Sequence, residues 1–285
     1  MSHELVHILE HSFLDTLKLV PFLFLTYLLM EFIEHKTSSK VKNAIHKSGK
    51  AGPLIGGLLG AVPQCGFSAS AAGLYAGRVI SLGTLIAIFL STSDEMLPIL
   101  ISEKVDVKLI LQILGIKVAI GMVAGFIIDF VMKFRKKQAE EEWKIHDMCE
   151  YGHCNCEKSI WKSALKHTLQ IVFFILIVNV VLNGVIEFVS EESLGNLFFT
   201  KPVIGELVAG LVGLIPNCAS SVIITQLFLE GVISFGSMMS GLLVGSGVGV
   251  LVLFRVNESL KDNLKILALL YTIGVGSGIL LGLVF

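Results

Sequence analysis

Charge is scarce in this chain of 285 residues: 16% are Asp, Glu, Lys or Arg, against about 25% in an ordinary soluble domain. Apolar residues reach 54%, and the mean hydropathy is +0.80. A single water-soluble globule could not hide that much apolar surface, which argues against ordinary soluble enzymology, secretion and nucleic-acid binding. The chain also lacks a Gly-rich Lys-Ser/Thr phosphate-binding motif, so any transport is expected to draw on an ion gradient. It lacks a disulfide framework: of five Cys, three crowd one polar loop and two lie in apolar segments. Its N-terminus has neither a basic n-region nor a small-residue cleavage site, and is not read as a signal peptide. What abounds is Gly: 28 residues spread through apolar runs, as in closely packed membrane helices. The composition is that of an all-α polytopic membrane protein.

Apolar runs 12–34, 79–101, 108–132, 164–186, 233–254 and 264–285 each suit a bilayer helix of about 20 residues. Two others are cut. Segment 51–77 is interrupted at Pro63-Gln64-Cys65-Gly66 and segment 203–229 at Pro216-Asn217-Cys218, leaving arms of about 13 residues, too short to span. The cut segments are copies. A shift of 153 residues aligns 56–98 with 209–251 without a gap, with 13 of 43 positions identical. Pro63 falls on Pro216, Cys65 on Cys218, Ser68 on Ser221 and Ser93 on Ser246, and the same shift aligns 108–130 with 261–283. Apolar composition alone would not bring Pro, Cys, Ser and Gly into one register.

Basic residues set the orientation. Stretch 35–50 has five Lys and no acid, and 133–162 has seven Lys/Arg, so both are expected in the cytoplasm. Stretch 187–201 has three Glu against one Lys and is expected outside. Two cytoplasmic loops are joined by an even number of crossings, which runs 79–101 and 108–132 already supply. Segment 51–77 must then leave by the face it entered, as a broken re-entrant hairpin, and 203–229 dips in from the other face. The expected fold is an inverted-topology repeat, each half three transmembrane helices plus one broken re-entrant hairpin. The first repeat covers 1–134, a cytoplasmic Cys/His-rich loop 135–162 and the second repeat 163–285, with both termini outside.

Inverted repeats whose broken helices meet at mid-membrane are the plan of many secondary transporters. A helix interrupted in the bilayer frees N–H and C=O groups, which are tolerated where they line a cavity. Each tip reads Pro-amide-Cys, followed by hydroxyls on a new helix start. Gln64, Cys65, Ser68, Asn217, Cys218, Ser220 and Ser221 are candidate substrate ligands: amide and hydroxyl oxygens, soft sulfur, and free N–H groups at a positive helix end. The alternative is local, with Pro kinking, Ser back-bonding and Cys packing as a small hydrophobe.

Ser93, Asp94 and Glu95 lie inside run 79–101, and intramembrane acids point to function. The second repeat has Ser246-Gly247-Val248 there, so the acidic pair belongs to one half, as a cation or coupling site would. Lys117, at comparable or greater depth, is a candidate charge partner of Asp94 or Glu95, for coupling or for packing only. Asp129 is expected at the cytoplasmic interface. Asn179 is expected either to line a cavity or to bond across helices. The loop carries His146, Cys149, His153, Cys154 and Cys156 within eleven residues. That set suits a bound transition metal such as zinc or cuprous copper, although its spacing is not that of a zinc finger; otherwise these are reduced loop thiols. His3, His7 and His11 recur on one helical face, a weak metal signal or a solvated one.

The residues GAVPQCGFSASAAGLYAG (60–77), STSDEMLP (91–98), GLIPNCASS (213–221) and the Cys/His loop together resemble the heavy-metal exporters counted as ten transmembrane segments, labelled manganese transporter or arsenic efflux protein. More distantly, the tip and Ser81-Leu82-Gly83 are similar to arsenic-efflux permeases, whose second tip Cys is here Phe67 or Ser220. The resemblance implies an inner-membrane, multi-pass secondary exporter of a metal ion or metalloid; Asp, Glu, Asn, Gln and Ser oxygens put a manganese-like divalent cation ahead of an arsenic species, which Cys65 and Cys218 would suit better. It is expected to be no enzyme, to require no cofactor, and to have its cargo and the lipid bilayer as partners, with no nucleic acid; a homodimer stays open. The rival readings are an exporter of an anion or small organic solute held at the tips, an integral-membrane thiol enzyme, and a metal sensor.

Overall fold

The computed structural model describes residues 51–63, 65–93, 96–135, 160–188 and 203–284, together with helical positions between 13 and 28. Eleven labelled helices follow. The first half holds α1 (Gly52–Gly60), α2 (Cys65–Ala76), α3 (Leu82–Ser91), α4 (Met96–Ser102) and α5 (Val107–Arg135). Helix α6 (Ile160–Phe188) leads to α7 (Ile204–Gly213), α8 (Cys218–Leu229), α9 (Phe235–Val244), α10 (Gly249–Val256) and α11 (Leu260–Val284). A shift of 153 residues carries α2 onto α8 and α3 onto α9 at both ends, and the starts of α4 and α5 onto those of α10 and α11.

The same sequence devices act in both halves. Ser81 caps α3 by accepting from Thr84 N at 3.1 Å, and Ser234 caps α9 by accepting from Ser237 N at 3.1 Å. Small residues spaced by four let helices approach closely. A Cβ on Gly56 would lie 3.1 Å from Thr84 O, and one on Gly60 only 2.6 Å from Ile88 O. This register makes α1 run in the same direction as α3. Helix α1 packs on α3 and α5, and α7 packs on α9 and α11. The halves interlock through their short helices: α2 lies on α10, and α8 on α4.

Runs 79–101 and 233–254 are long enough to cross, yet neither is one continuous helix. Helix α3 ends before Thr92-Ser93 and α4 resumes at Met96; α9 ends before Gly245 and α10 resumes at Gly249. Run length registers apolarity and is blind to continuity. At the first break Ser91 and Thr92 turn their hydroxyls back onto Ala87 O at 2.7 Å and Ile88 O at 2.8 Å, offering the carbonyls an alternative to the helical ladder. At the second, Gly247 takes a left-handed φ of +53°.

Among the described residues, five helical segments are long and apolar enough to cross a membrane. The two broken ones, Leu82–Ser102 and Phe235–Val256, are 75% and 78% buried, whereas Val107–Lys133, Ala164–Val181 and Leu260–Val284 are each 28% buried. The broken helices therefore form the centre and the long ones the periphery. Helix α6 exposes Trp161, Leu165, Leu169, Phe173 and Ile177 along one stripe, which in a bilayer meets lipid.

Asp129 holds two helices together. Its carboxylate accepts from Ser81 Oγ at 2.7 Å and Gly83 N at 2.9 Å, tying α5 to the start of α3. The matching position in the second half is Gly282. There the carboxylate comes from Glu206 on α7, which accepts from Val203 N at 2.7 Å and Ser234 Oγ at 3.4 Å. Both broken helices thus start against a carboxylate supplied by a different element. Removing a charged acceptor costs about 1.5–3 kcal/mol. Asp129→Ala is expected to lower the thermal midpoint of purified protein by several degrees, while Asp129→Glu loses less.

Candidate functional site

The two breaks and the second tip converge, and the first tip is tied to its own break. At the first tip, Ser93 Oγ donates to Ala61 O at 2.7 Å, pinning the break in α3 to the turn after α1. At the second, Asn217 opens α8 in extended backbone, and its side-chain oxygen accepts from Ala219 N at 3.3 Å. Ser220 Oγ donates to Asn217 O at 2.8 Å, and Ser221 Oγ to Cys218 O at 2.8 Å. From α5 comes Lys117, only 1% exposed, whose ammonium donates to Leu242 O at 2.6 Å. That carbonyl belongs to the last turn of α9 before its break.

A small polar cavity lies among these groups, with room for about one water-sized particle. Thr92, Ser93 and Met96 line it from the first broken helix, Gly245 and Gly247 from the second. Asn217, Ser220 and Ser221 line it from the second tip, and Lys117 with Leu242 closes it. The lining offers hydroxyl, amide and carbonyl oxygens, one thioether and one ammonium. Such oxygens are of the kind that can coordinate a small ion. A second cavity, about 260 Å³, lies between α1 and α2; its walls include Ile55, Leu59, Phe67 and Leu74, and no charged residue among the described ones.

Of the candidates named from sequence, Ser93, Lys117, Asn217, Ser220 and Ser221 meet at the central cavity. Ser68 is buried elsewhere, with its Cβ against Gly249 where α10 begins. Cys218 is buried and does not line the cavity. Gln64, Asp94 and Glu95 lie outside the described residues, as does the side chain of Cys65. The loop set His146, Cys149, His153, Cys154 and Cys156 and the N-terminal His3, His7 and His11 also lie outside them. Asn179 bonds across helices, its amide nitrogen 3.5 Å from Thr16 Oγ1.

Thr92, Met96, Gly245, Gly247 and Leu242 O were not among the candidates. A usable signal existed: Gly245-Ser246-Gly247 inside an apolar run marks a break, and it matches Thr92-Ser93-Asp94 in the first repeat. A backbone carbonyl, by contrast, leaves no mark in a sequence.

A model of the family described as "Putative, 10TM heavy-metal exporter" matches residues 2–204. The match takes in the first tip, the first break and Lys117, and ends as α7 begins. No curated protein and no solved structure matches the chain.

Proposed function

The chain belongs to the 10TM heavy-metal exporter family, and from that premise we propose that it is a secondary active exporter of a metal ion or metalloid. The observation that carries this reading is the central cavity, built jointly by the broken helix of one half and the tip and broken helix of the other. Cargo is held there by Ser93, Asn217, Ser220 and Ser221, with Gln64, Cys65, Ser68 and Cys218 completing the tips, and Asp94 and Glu95 with Lys117 coupling the movement to an ion gradient. The halves are inverted copies in the inner membrane, and segments 51–77 and 203–229 are re-entrant hairpins. The coincidence of helix starts at one offset supports the repeat, and the common direction of α1 and α3 supports the hairpin.

Oxygen donors dominate the described lining, and hard oxygens suit manganese better than arsenic, which seeks thiolates. A manganese-like divalent cation is therefore the favoured cargo, with an arsenic species next. Lys117 and the N-terminal end of α8 favour one second reading, an anionic cargo held at the tip. A metal-toxicity panel in cells with and without the protein separates these. Deletion should sensitise cells to manganese first. Sensitivity to an oxyanion alone would favour the second reading, and unchanged tolerance across the panel would remove the exporter reading.

The Cys/His loop chelates cytoplasmic metal and feeds or senses it, apart from the transport path. Replacing Cys149, Cys154 and Cys156 by Ser should lower the metal bound per purified chain and raise the half-saturating concentration, while the maximal rate persists. Loss of all flux in that variant would place the loop on the path.

A further inference from the structure

A broken helix leaves carbonyls without their helical donors, and these negative ends are where discontinuous-helix transporters hold monovalent cations. In α9 the break strips Leu242 O of the N–H four residues on, and the Lys117 ammonium donates to it instead at 2.6 Å. A charge this deeply buried is costly in a bilayer. The C-terminal end of α9 offsets that cost, because its partial negative charge and its freed carbonyl both favour a cation. Around the same cavity stand the oxygens of Thr92, Ser93, Asn217, Ser220 and Ser221.

The other half lacks this device. The position that matches Lys117 is Leu270, fully buried, and the position that matches Leu242 is Phe89. The break in α3 instead has the hydroxyls of Ser91 and Thr92 on its carbonyls. Two half-helix C-terminal ends therefore point into the centre, and among the described residues only one meets a fixed positive charge.

We infer that the Lys117 ammonium is a tethered cation, filling at the break of α9 a site that would otherwise take a free monovalent cation such as sodium. The wild-type chain is then independent of sodium at this position. The inference deepens the transport reading of this cavity, but binding alone tests it.

The experiment measures the thermal midpoint of purified full-length protein in sodium, potassium or choline chloride at equal ionic strength, without cargo metal. Wild type should show the same midpoint in all three. Lys117→Ala, which vacates the site, should gain a few degrees in sodium or potassium over choline, the mark of a ligand that binds only the folded state. Lys117→Met, which refills the space with an apolar chain, should show no such gain. An equal midpoint for Lys117→Ala in all three salts would overturn the inference, and so would a sodium response of equal size in wild type or Lys117→Met. If Lys117→Ala yields no folded protein, Lys117→Ser is measured in its place, and a lack of sodium response there overturns it equally. Since no cargo is present, this result stands apart from whether metal is exported.

Discussion

Replacing Asn217 by Ala lowers metal efflux about ten- to a hundredfold at unchanged membrane abundance. That range corresponds to losing one bond to a charged group, about 1.5–3 kcal/mol. Asn217 is 5% exposed and lines the central cavity. It also caps α8, and a lost cap costs about 1 kcal/mol. Asn217→Ser separates the two roles, because Ser caps a helix nearly as well but carries no amide oxygen. On the present account both variants lose efflux and only Ala loses thermal stability. Wild-type efflux in Asn217→Ser would reduce Asn217 to a cap.

The largest effect on folding is expected where helices touch backbone to backbone. A Cβ on Gly125 of α5 would lie 2.6 Å from Gly83 O and 2.9 Å from Pro53 Cβ. One on Gly278 of α11 would lie 2.6 Å from Ser240 Cβ and 2.7 Å from Gly236 O. The atoms in the way are backbone or short rigid side chains, so relief requires moving α3 or α9 bodily. Gly125→Val and Gly278→Val should remove most of the protein from the membrane. The same helices supply the controls. Gly115 and Gly276 have nothing within 4 Å of a built Cβ, and Val there should leave abundance near wild type. Equal abundance for Gly125→Val and Gly115→Val, by immunoblot of membranes, would contradict the packing described.

Much of the architecture was legible because Pro, Gly, Ser and Cys are informative where apolar residues are not. Pro63 and Pro216 marked the tips at one offset, and α2 and α8 start just after them; the caps Ser81 and Ser234 share that offset but emerge only in the folded chain. The breaks within α3–α4 and α9–α10 were missed, since Ser91, Thr92 and Gly245 barely lower the hydropathy of runs 79–101 and 233–254, and only Gly245-Ser246-Gly247 signals one of them. Lys117 was visible as a buried charge. Its partner Leu242 O was not, because a backbone carbonyl becomes a ligand only once the next turn is missing. The exchange of Asp129 for Glu206 was likewise invisible: the two carboxylates sit at unmatched positions and meet matching helix starts only in the folded chain.

The most direct measurement is metal release from proteoliposomes loaded with manganese or with arsenite, following purified wild type and Asn217→Ala under an imposed ion gradient. Wild type should release manganese faster than protein-free vesicles and Asn217→Ala should not, with arsenite moving more slowly or not at all. Folded wild-type protein that releases neither species, or Asn217→Ala releasing manganese at the wild-type rate, would contradict export through the central cavity.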